Sequence, residues 1–410
     1  MMRHVALALT LGMLAAIGCA GENTLEPCDV RRSDCQQQVF LAVADARGSS
    51  WDPWFPLPTM RVVTEEQYCA ELLAQAPSGP ATPGGPNQPD DLTSALKLLH
   101  LLDPNETREE GACHNAVFAA AYYVPARQLV TVIDRGGETD QCGDVRTLAH
   151  ELVHAAQDRD LHFKTLNRGV DSFDEQQVVD ALLEGEGVLY ETLIDAKLRE
   201  QGRCGATPPI DLAQVLGATR DNVVDLTRFP SPFRTATALL GYPLGARYLG
   251  YGYEAAGSLG VRRAFEPRPE GDVRLMNEQH SEYDRPLPAW SCATLNAPEG
   301  YRASVFASFG GFVAYAFATL VLTPEPAAWD NALASAGDDF VVYSNAAHEV
   351  LVEWSLHFRS EQRAEELGRA LAESPLGASI EHSLQGDVLH VRASSQPHAF
   401  RDRPWASCSE

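Results

Sequence analysis

The chain has 410 residues, of which 45% are hydrophobic and 21% charged, a composition that excludes wholesale disorder and predicts a globular protein of roughly two structural units. Its formal net charge of −24 excludes binding of nucleic acid or anionic lipid through a broad basic face. In chain order we expect a signal peptide at 1–19, a tether with a disulfide-stapled segment at 20–58, a main domain at 59–290 and a C-terminal α+β unit at 291–410.

The first nineteen residues have the pattern of a bacterial lipoprotein signal. Arg3 and His4 precede an apolar run over 5–18, which is too short to span a bilayer but has the length of a signal-peptide core. The run ends in Ala16-Ile-Gly-Cys19, which resembles a lipobox, so Cys19 is the expected lipidation site. The alternative is plain secretion with a cysteine near the cleavage site. We therefore expect an exported protein of the bacterial cell envelope, lipid-anchored at the outer membrane or the periplasmic face.

The cysteine count agrees with export. Lipidation of Cys19 would leave eight of the nine cysteines, enough for four disulfides in an oxidising compartment. Their pairing is not predicted. The eight are Cys28, Cys35, Cys69, Cys113, Cys142, Cys204, Cys292 and Cys408.

The main domain is predicted to be mostly helical. Its expected elements are a helix from the capping box Thr64-Glu-Glu-Gln67 to Leu73, a helix over 92–102, a hairpin or edge strand over 122–133, helices over 144–158 and 175–199, and broken helices over 231–253. Thr64 and Gln67 have the spacing at which each side chain caps the other's backbone N–H.

The C-terminal unit begins with an apolar run over 305–322 that is long enough to cross a membrane. A span there would put Cys292 and Cys408 on opposite sides, one of them in a reducing compartment, so we predict a buried helix instead. Strands are then expected over 338–343, 350–358 and 387–392, with a helix over 360–373 before the last of them.

The segment TLAHELVHAAQ at 147–157 carries the strongest chemical signal. Residues four apart share one face of a helix, so His150 and His154 would both present imidazole nitrogens to one Zn²⁺ ion. Glu151 would act as general base on a water at that ion. The alternative is a core helix with two hydrogen-bonded histidines, but such a helix would also bury the charge of Glu151 without purpose.

A third protein ligand is expected from the following helix. Glu184 is favoured because its same-face neighbours are all small, and Gly185 and Gly187 indicate the close approach of another helix. Glu186 and Asp160 remain as alternative ligands.

Two motifs resemble those of a family of bacterial exported zinc metallopeptidases. TLAHELVHAAQD at 147–158 is similar to HELTHALQDQ of the family, and VDALLEGEG at 179–187 is similar to its ALVEGDA. This gluzincin-like arrangement implies that His150, His154 and Glu184 bind zinc and that Glu151 is the base. It also implies an α+β fold, with a mainly helical zincin-like catalytic domain, a small edge sheet and a small C-terminal α+β unit.

The sequence departs from the family pattern in the 273–283 segment and in the order of Tyr242 and Pro243. No oxyanion-stabilising residue is therefore assigned. Tyr242, Tyr253, Tyr283 and His280 are the candidates.

These patterns predict a zinc-dependent peptidase acting on a peptide or protein, with the lipid anchor as its membrane contact and no nucleic-acid partner. One alternative is a non-catalytic zinc-binding envelope lipoprotein that serves as an interaction module. Another is a zinc amidase or esterase acting on cell-wall components.

Overall fold

A computed structural model of the chain describes residues 25–49, 56–75, 91–107, 110, 113, 120–136, 140–161, 169–170, 172–205, 212–217, 225–277, 291–292, 297–396, 403–405 and 408–409. The fold is α+β, with a helical main part followed by a C-terminal unit built on a sheet. The predicted fold class is confirmed at this level. Within the described ranges, no helix combines the length and apolar character needed to cross a membrane.

The main part is described by its helices and one small sheet. Its helices are α1 (Ser33–Ala46), α2 (Glu65–Gln75), α3 (Asp91–Leu98), α4 (Gln141–Leu161), α5 (Phe173–Glu200), α6 (Leu212–Leu216), α7 (Pro232–Leu239), α8 (Gly241–Ala256), α9 (Ser258–Ala264) and α10 (Val273–Met276). Its strands are β1 (Thr59–Thr64), β2 (Ala121–Val124) and β3 (Leu129–Asp134). Each helix predicted here is present.

Two local predictions illustrate how sequence determines these elements. The capping box before α2 is confirmed, because the Thr64 N–H donates to the Gln67 side chain at 2.9 Å and the Gln67 N–H donates to Thr64 Oγ1 at 3.2 Å. The helix expected over 92–102 stops earlier, at Leu98. His100 has a φ of 58°, a left-handed conformation in which a right-handed helix does not continue.

The small sheet lies beside the helix that carries the HELVH motif. Strand β3 is central, with β1 parallel on one side and β2 antiparallel on the other, so β2 is an edge strand. This confirms the hairpin or edge strand predicted over 122–133. The Tyr123 hydroxyl joins β2 to α4 by donating to Asp158 at 3.1 Å.

A helix that the sequence patterns did not predict lies within the segment expected to be a tether. Helix α1 buries Val39, Phe40 and Val43 completely, and it packs against both α4 and α5. The predicted disulfide staple is present at its start, between Cys28 and Cys35. Part of the 20–58 segment therefore belongs to the core.

The C-terminal unit consists of β4 (Ser291–Cys292), β5 (Tyr301–Ala307), α11 (Gly310–Thr319), α12 (Glu325–Leu333), β6 (Ser335–Asn345), β7 (Val350–Phe358), α13 (Glu361–Glu373), β8 (Glu381–Gln385), β9 (Val388–Ser394) and β10 (Cys408–Ser409). Five strands form one antiparallel sheet in the order β5-β6-β7-β9-β8. Three of its strands and α13 were predicted, whereas β5 and β8 were not.

The apolar run over 305–322 is only partly the buried helix that we predicted. Its first residues complete β5, where Phe306 is 62% exposed, and the helix α11 begins at Gly310. The strand ends at Ala307. Gly310, with a φ of 77°, then begins a helix in which every residue is buried.

The described part of the chain contains the disulfides Cys28–Cys35, Cys69–Cys113 and Cys142–Cys204. The backbone register of β4 and β10 also places Cys408 opposite Cys292. Disulfides of this number fit an exported protein, because they persist in oxidising compartments. The lipidation site expected at Cys19 lies outside the described residues.

Candidate metal centre

The three predicted ligands lie together. His150, His154 and Glu184 each offer one ligand atom, and these atoms all lie within 4.8 Å of one another. Glu184 Oε2 is 3.1 Å from His150 Nε2 and 3.4 Å from His154 Nε2. Within the described ranges, this is the group of three such side chains close enough to hold one metal ion.

Two helices present these side chains to each other. His150 and His154 lie one turn apart on α4, whose apolar residues around them are buried. Helix α5 begins at an N-cap, Ser172, whose hydroxyl accepts from the Glu175 N–H at 3.1 Å. Glu184 lies near the middle of α5 and faces α4.

The two glycines beside Glu184 permit close packing on both sides of α5. A Cβ on Gly187 would lie 2.5 Å from His150 Cε1, so the imidazole occupies the space that a side chain would need. A Cβ on Gly185 would lie 2.2 Å from the carbonyl carbon of Gly245 in α8. Helix approach explains both glycines, as predicted, but only Gly187 faces the histidine helix.

The outer nitrogen of each imidazole also has a partner. His150 Nδ1 lies 2.9 Å from the Glu191 carboxylate, and His154 Nδ1 lies 2.8 Å from the Gln157 side-chain oxygen. Since each partner is an acceptor, each Nδ1 carries the hydrogen of the neutral ring. With a metal ion bound, this arrangement would leave both Nε2 lone pairs for the ion, which is the form in which histidine binds metal.

Glu151 is buried next to the centre with an oxygen that no other group uses. The residue is 5% exposed, and its Oε2 has no hydrogen-bond partner in the described part of the chain. Burial raises the pKa of its carboxyl group, and the two neighbouring imidazoles oppose that rise. A buried carboxylate oxygen without a donor is costly, so it calls for a functional explanation.

The charges of the centre are strongly coupled. Burial lowers the pKa of His150, but hydrogen bonds to Glu184 and Glu191 outweigh it and raise the pKa well above its usual value. Burial also lowers the pKa of His154, but the charge of Glu184 opposes burial, and the pKa is raised overall. At Glu184, burial alone would raise the pKa, but the charge of His154 and a hydrogen bond to His150 lower it.

The donor set fits a zinc ion with a position left for water. Two imidazole nitrogens and one carboxylate oxygen are ligands that Zn²⁺ accepts, and three protein ligands are typical of catalytic rather than structural zinc sites. The acceptors behind both Nδ1 atoms and the space left by Gly187 fix the rings in this orientation. The group could therefore hold a metal ion.

Of the four candidates for stabilising an oxyanion, Tyr242 lies at the centre. Its ring stacks on His150, with centroids 5.9 Å apart and planes 20° from parallel, and about a third of the residue is exposed. Burial and the carboxylate of Glu184, to which it is hydrogen-bonded, raise the pKa of its hydroxyl. Tyr253 instead packs edge-on against Tyr190. His280 and Tyr283 lie outside the described residues.

The structure does not place either alternative third ligand in the group. Glu186 is 1% exposed and pairs with Arg47 and Gln157, and Asp160 pairs with Arg47 and Arg159. Both carboxylates are thus held by other donors. Glu184 is thus the third member of the group, as favoured.

The sequence reasoning missed three residues that support the ligands. Glu191 lies seven residues after Glu184, on the same face of α5, so helical spacing could have identified it. Gln157 lies three residues after His154, and the same helical spacing could have identified it. Arg47 gave no such signal, because it is far away in the sequence.

Comparison of the chain with protein-family models, with curated proteins and with solved structures gives no match. The resemblance to bacterial exported zinc metallopeptidases therefore remains a prediction from the two motifs. What can be said of function rests on the centre itself.

Proposed function

We propose that this protein is a zinc-dependent peptidase of the bacterial cell envelope. The observation that carries the proposal is the buried, unpartnered carboxylate oxygen of Glu151 beside the group His150, His154 and Glu184. A purely structural metal site needs its ligands but has no use for this additional acidic side chain. A hydrolytic site needs a proton acceptor in this position.

The roles of the side chains follow from their surroundings. Zinc, when bound, supplies Lewis acidity that brings the pKa of a water towards neutrality. With zinc bound, Glu151 would accept a proton from such a water at its Oε2, and burial keeps competing solvent away from the carboxylate. Glu191 and Gln157 hold the two imidazoles in place during this transfer. The Tyr242 hydroxyl is hydrogen-bonded to Glu184 beside the centre.

A peptide is the favoured substrate because of strand β2. This strand is the edge of its sheet and is linked to the histidine helix through Tyr123 and Asp158. An extended peptide adds to such an edge through main-chain hydrogen bonds, which recognise a polypeptide irrespective of its side chains. Cell-wall glycans and simple esters cannot form that ladder.

The proposed location rests on two features of different kinds. The lipobox at Cys19 predicts a lipid anchor, and the three disulfides fit an oxidising compartment outside the cytoplasm. The membrane contact of the proposed enzyme is that anchor alone.

The test uses the purified protein, its Glu151→Gln variant and a zinc chelator. We expect wild-type protein to cleave casein or members of a peptide library, to lose this activity with the chelator, and to regain it with added zinc. Glu151→Gln should retain zinc by elemental analysis but lose cleavage. Activity on peptidoglycan or model esters without peptide cleavage would favour the amidase or esterase. Zinc binding with no hydrolysis of any of these would favour the interaction module.

A further inference from the structure

A buried chain of hydrogen bonds leads from the N-terminal segment to one metal ligand. Arg47, directly after α1, donates from Nε to Glu186 Oε1 at 2.9 Å and from Nη1 to Asp160 Oδ2 at 2.9 Å. Glu186 Oε2 accepts from Gln157 Nε2 at 2.8 Å. Gln157 Oε1 lies 2.8 Å from His154 Nδ1. The chain thus links α1, α5 and α4 in that order.

The direction of every hydrogen bond in the chain is determined by its neighbours. The Gln157 Nε2 group faces two acceptors, the Leu183 carbonyl oxygen at 3.0 Å and the Glu186 carboxylate, so this end of the amide must be the donor. The oxygen end therefore faces His154 and accepts from its Nδ1. An amide is the side chain that meets both demands, since it donates at one end and accepts at the other.

We propose that Arg47 is a positioning residue of the metal centre, which acts through Glu186 and Gln157 to fix the ring orientation and tautomer of His154. With Nδ1 holding the hydrogen, the Nε2 lone pair of His154 would be available to a metal ion at the centre. Without Arg47, Glu186 loses the cation that holds its carboxylate, and Gln157 loses a fixed acceptor. The Leu183 carbonyl is then the remaining fixed acceptor for the amide, so the orientation that Gln157 imposes on His154 is held less tightly.

The burial of the chain shows that it is not a surface ion pair. Arg47 is 5% exposed, Glu186 1% and Gln157 0%. Charges this deep are retained only with close partners, so the geometry that they adopt is well defined. The N-terminal segment thereby supplies part of the centre. This role rests on the proposed metal site and does not depend on peptidase activity.

The experiment measures zinc affinity by competition with a chromophoric chelator, the visible spectrum of the cobalt-substituted protein, and thermal stability. We expect Gln157→Leu and Arg47→Met each to weaken zinc binding about 10- to 100-fold and to change the cobalt spectrum. The matched control is Arg392→Met, which removes a cation that is equally buried and that pairs with Glu353 at 2.6 Å in the C-terminal sheet. It should lower thermal stability and leave both metal readouts unchanged.

Outcomes separate this role from the proposed function. Wild-type protein that binds no zinc would overturn the metal centre itself. Wild-type protein that binds zinc, with unchanged affinity and cobalt spectrum in Gln157→Leu, would overturn the positioning role alone. Gln157→Leu leaves the Arg47–Glu186 pair in place, so the test remains decisive even if Arg47→Met does not fold.

Discussion

The molecule contains two clusters of buried and partly buried carboxylates whose oxygens have different hydrogen-bond partners. One is the metal centre, with Glu151 and Glu184. The other, which we call the capping cluster, consists of Asp174, Asp272 and Asp338 and lies at the N-terminus of α11, where the helical part meets the C-terminal unit.

In the capping cluster, carboxylate oxygens accept hydrogen bonds from backbone N–H groups. Asp338 accepts from the N–H groups of Phe309 and Gly310, and also from Trp354 Nε1 at 2.8 Å. Asp272 accepts from the next two N–H groups of α11, at 2.5 and 2.9 Å. Negative charge at this end of a helix is favourable, and these donors would otherwise be unsatisfied.

In the proposed metal centre, by contrast, one buried oxygen of Glu151 has no donor among the residues that the structure describes. A carboxylate that serves the fold is surrounded by donors, as in the capping cluster. A carboxylate that is to accept a proton must keep an oxygen open. Donor saturation, and not burial alone, therefore separates the acids of the capping cluster from Glu151, for which we propose a chemical role.

The largest expected effect is on catalysis in Glu151→Gln. Removal of a general base should lower the turnover rate by about 10²- to 10⁴-fold. The free energy of unfolding should not fall, because the substitution replaces a buried charge that lacks a donor by a neutral amide. Chemical denaturation measures the second quantity, and a loss of stability comparable to that of a structural acid would contradict the distinction.

The opposite result is expected for Asp338→Ala in the capping cluster. Several donors lose a charged acceptor in the interior, so unfolding should become easier by at least about 3 kcal/mol. Zinc affinity of the folded fraction should be unchanged. A variant that unfolds at the wild-type denaturant concentration would show that these hydrogen bonds contribute little.

The glycine pair on α5 gives a smaller and more selective contrast. Gly185→Ala pushes against the backbone of α8 and should destabilise the fold by about 1–3 kcal/mol. Gly187→Ala pushes against the His150 ring and should mainly weaken zinc binding. Elemental analysis and thermal unfolding of both variants separate the two effects. Equal loss of zinc in both would argue against Gly187 as the residue that accommodates the ligand.

The smallest expected effect is on the pH dependence of stability. Burial raises the pKa of Asp174 to about 6, against hydrogen bonds from Asp272 that lower it. An acid with a raised pKa holds its proton more tightly when folded, so it stabilises the fold below the unfolded value near 4. This contribution is lost as the pH rises towards 6.

Asp174→Asn should flatten that pH dependence. The asparagine mimics the protonated acid and keeps the oxygen that accepts from the Asp272 N–H at 2.8 Å. Urea midpoints measured between pH 4 and 7 give the slope. The same slope in variant and wild type would contradict the assignment to Asp174.

Helical spacing made much of the site predictable. The interval of four residues places His150 and His154 on one face of any helix, and the small residues around Glu184 indicate helix contact. The strands β6, β7 and β9 were predictable because their β-forming residues occur in short runs. In these cases the pattern that determines the structure is local.

The features that were missed depend on contacts between distant residues or on local breaks in a uniform run. Arg47 and Glu186 are 139 residues apart, so no spacing relates them. The boundary between β5 and α11 lies inside one apolar run, where composition does not change. There, the positive φ of Gly310 and the N–H groups that donate to Asp338 determine where the helix begins.

Zinc content of the purified protein tests the metal centre most directly. Elemental analysis after equilibration with zinc should give about one ion per chain in the wild type and in Glu200→Ala, an exposed substitution at the far end of α5. Glu184→Ala should lose the ion or bind it far more weakly. A well-folded wild type that takes up no zinc, even with metal in excess, would contradict the metal centre and the function proposed from it.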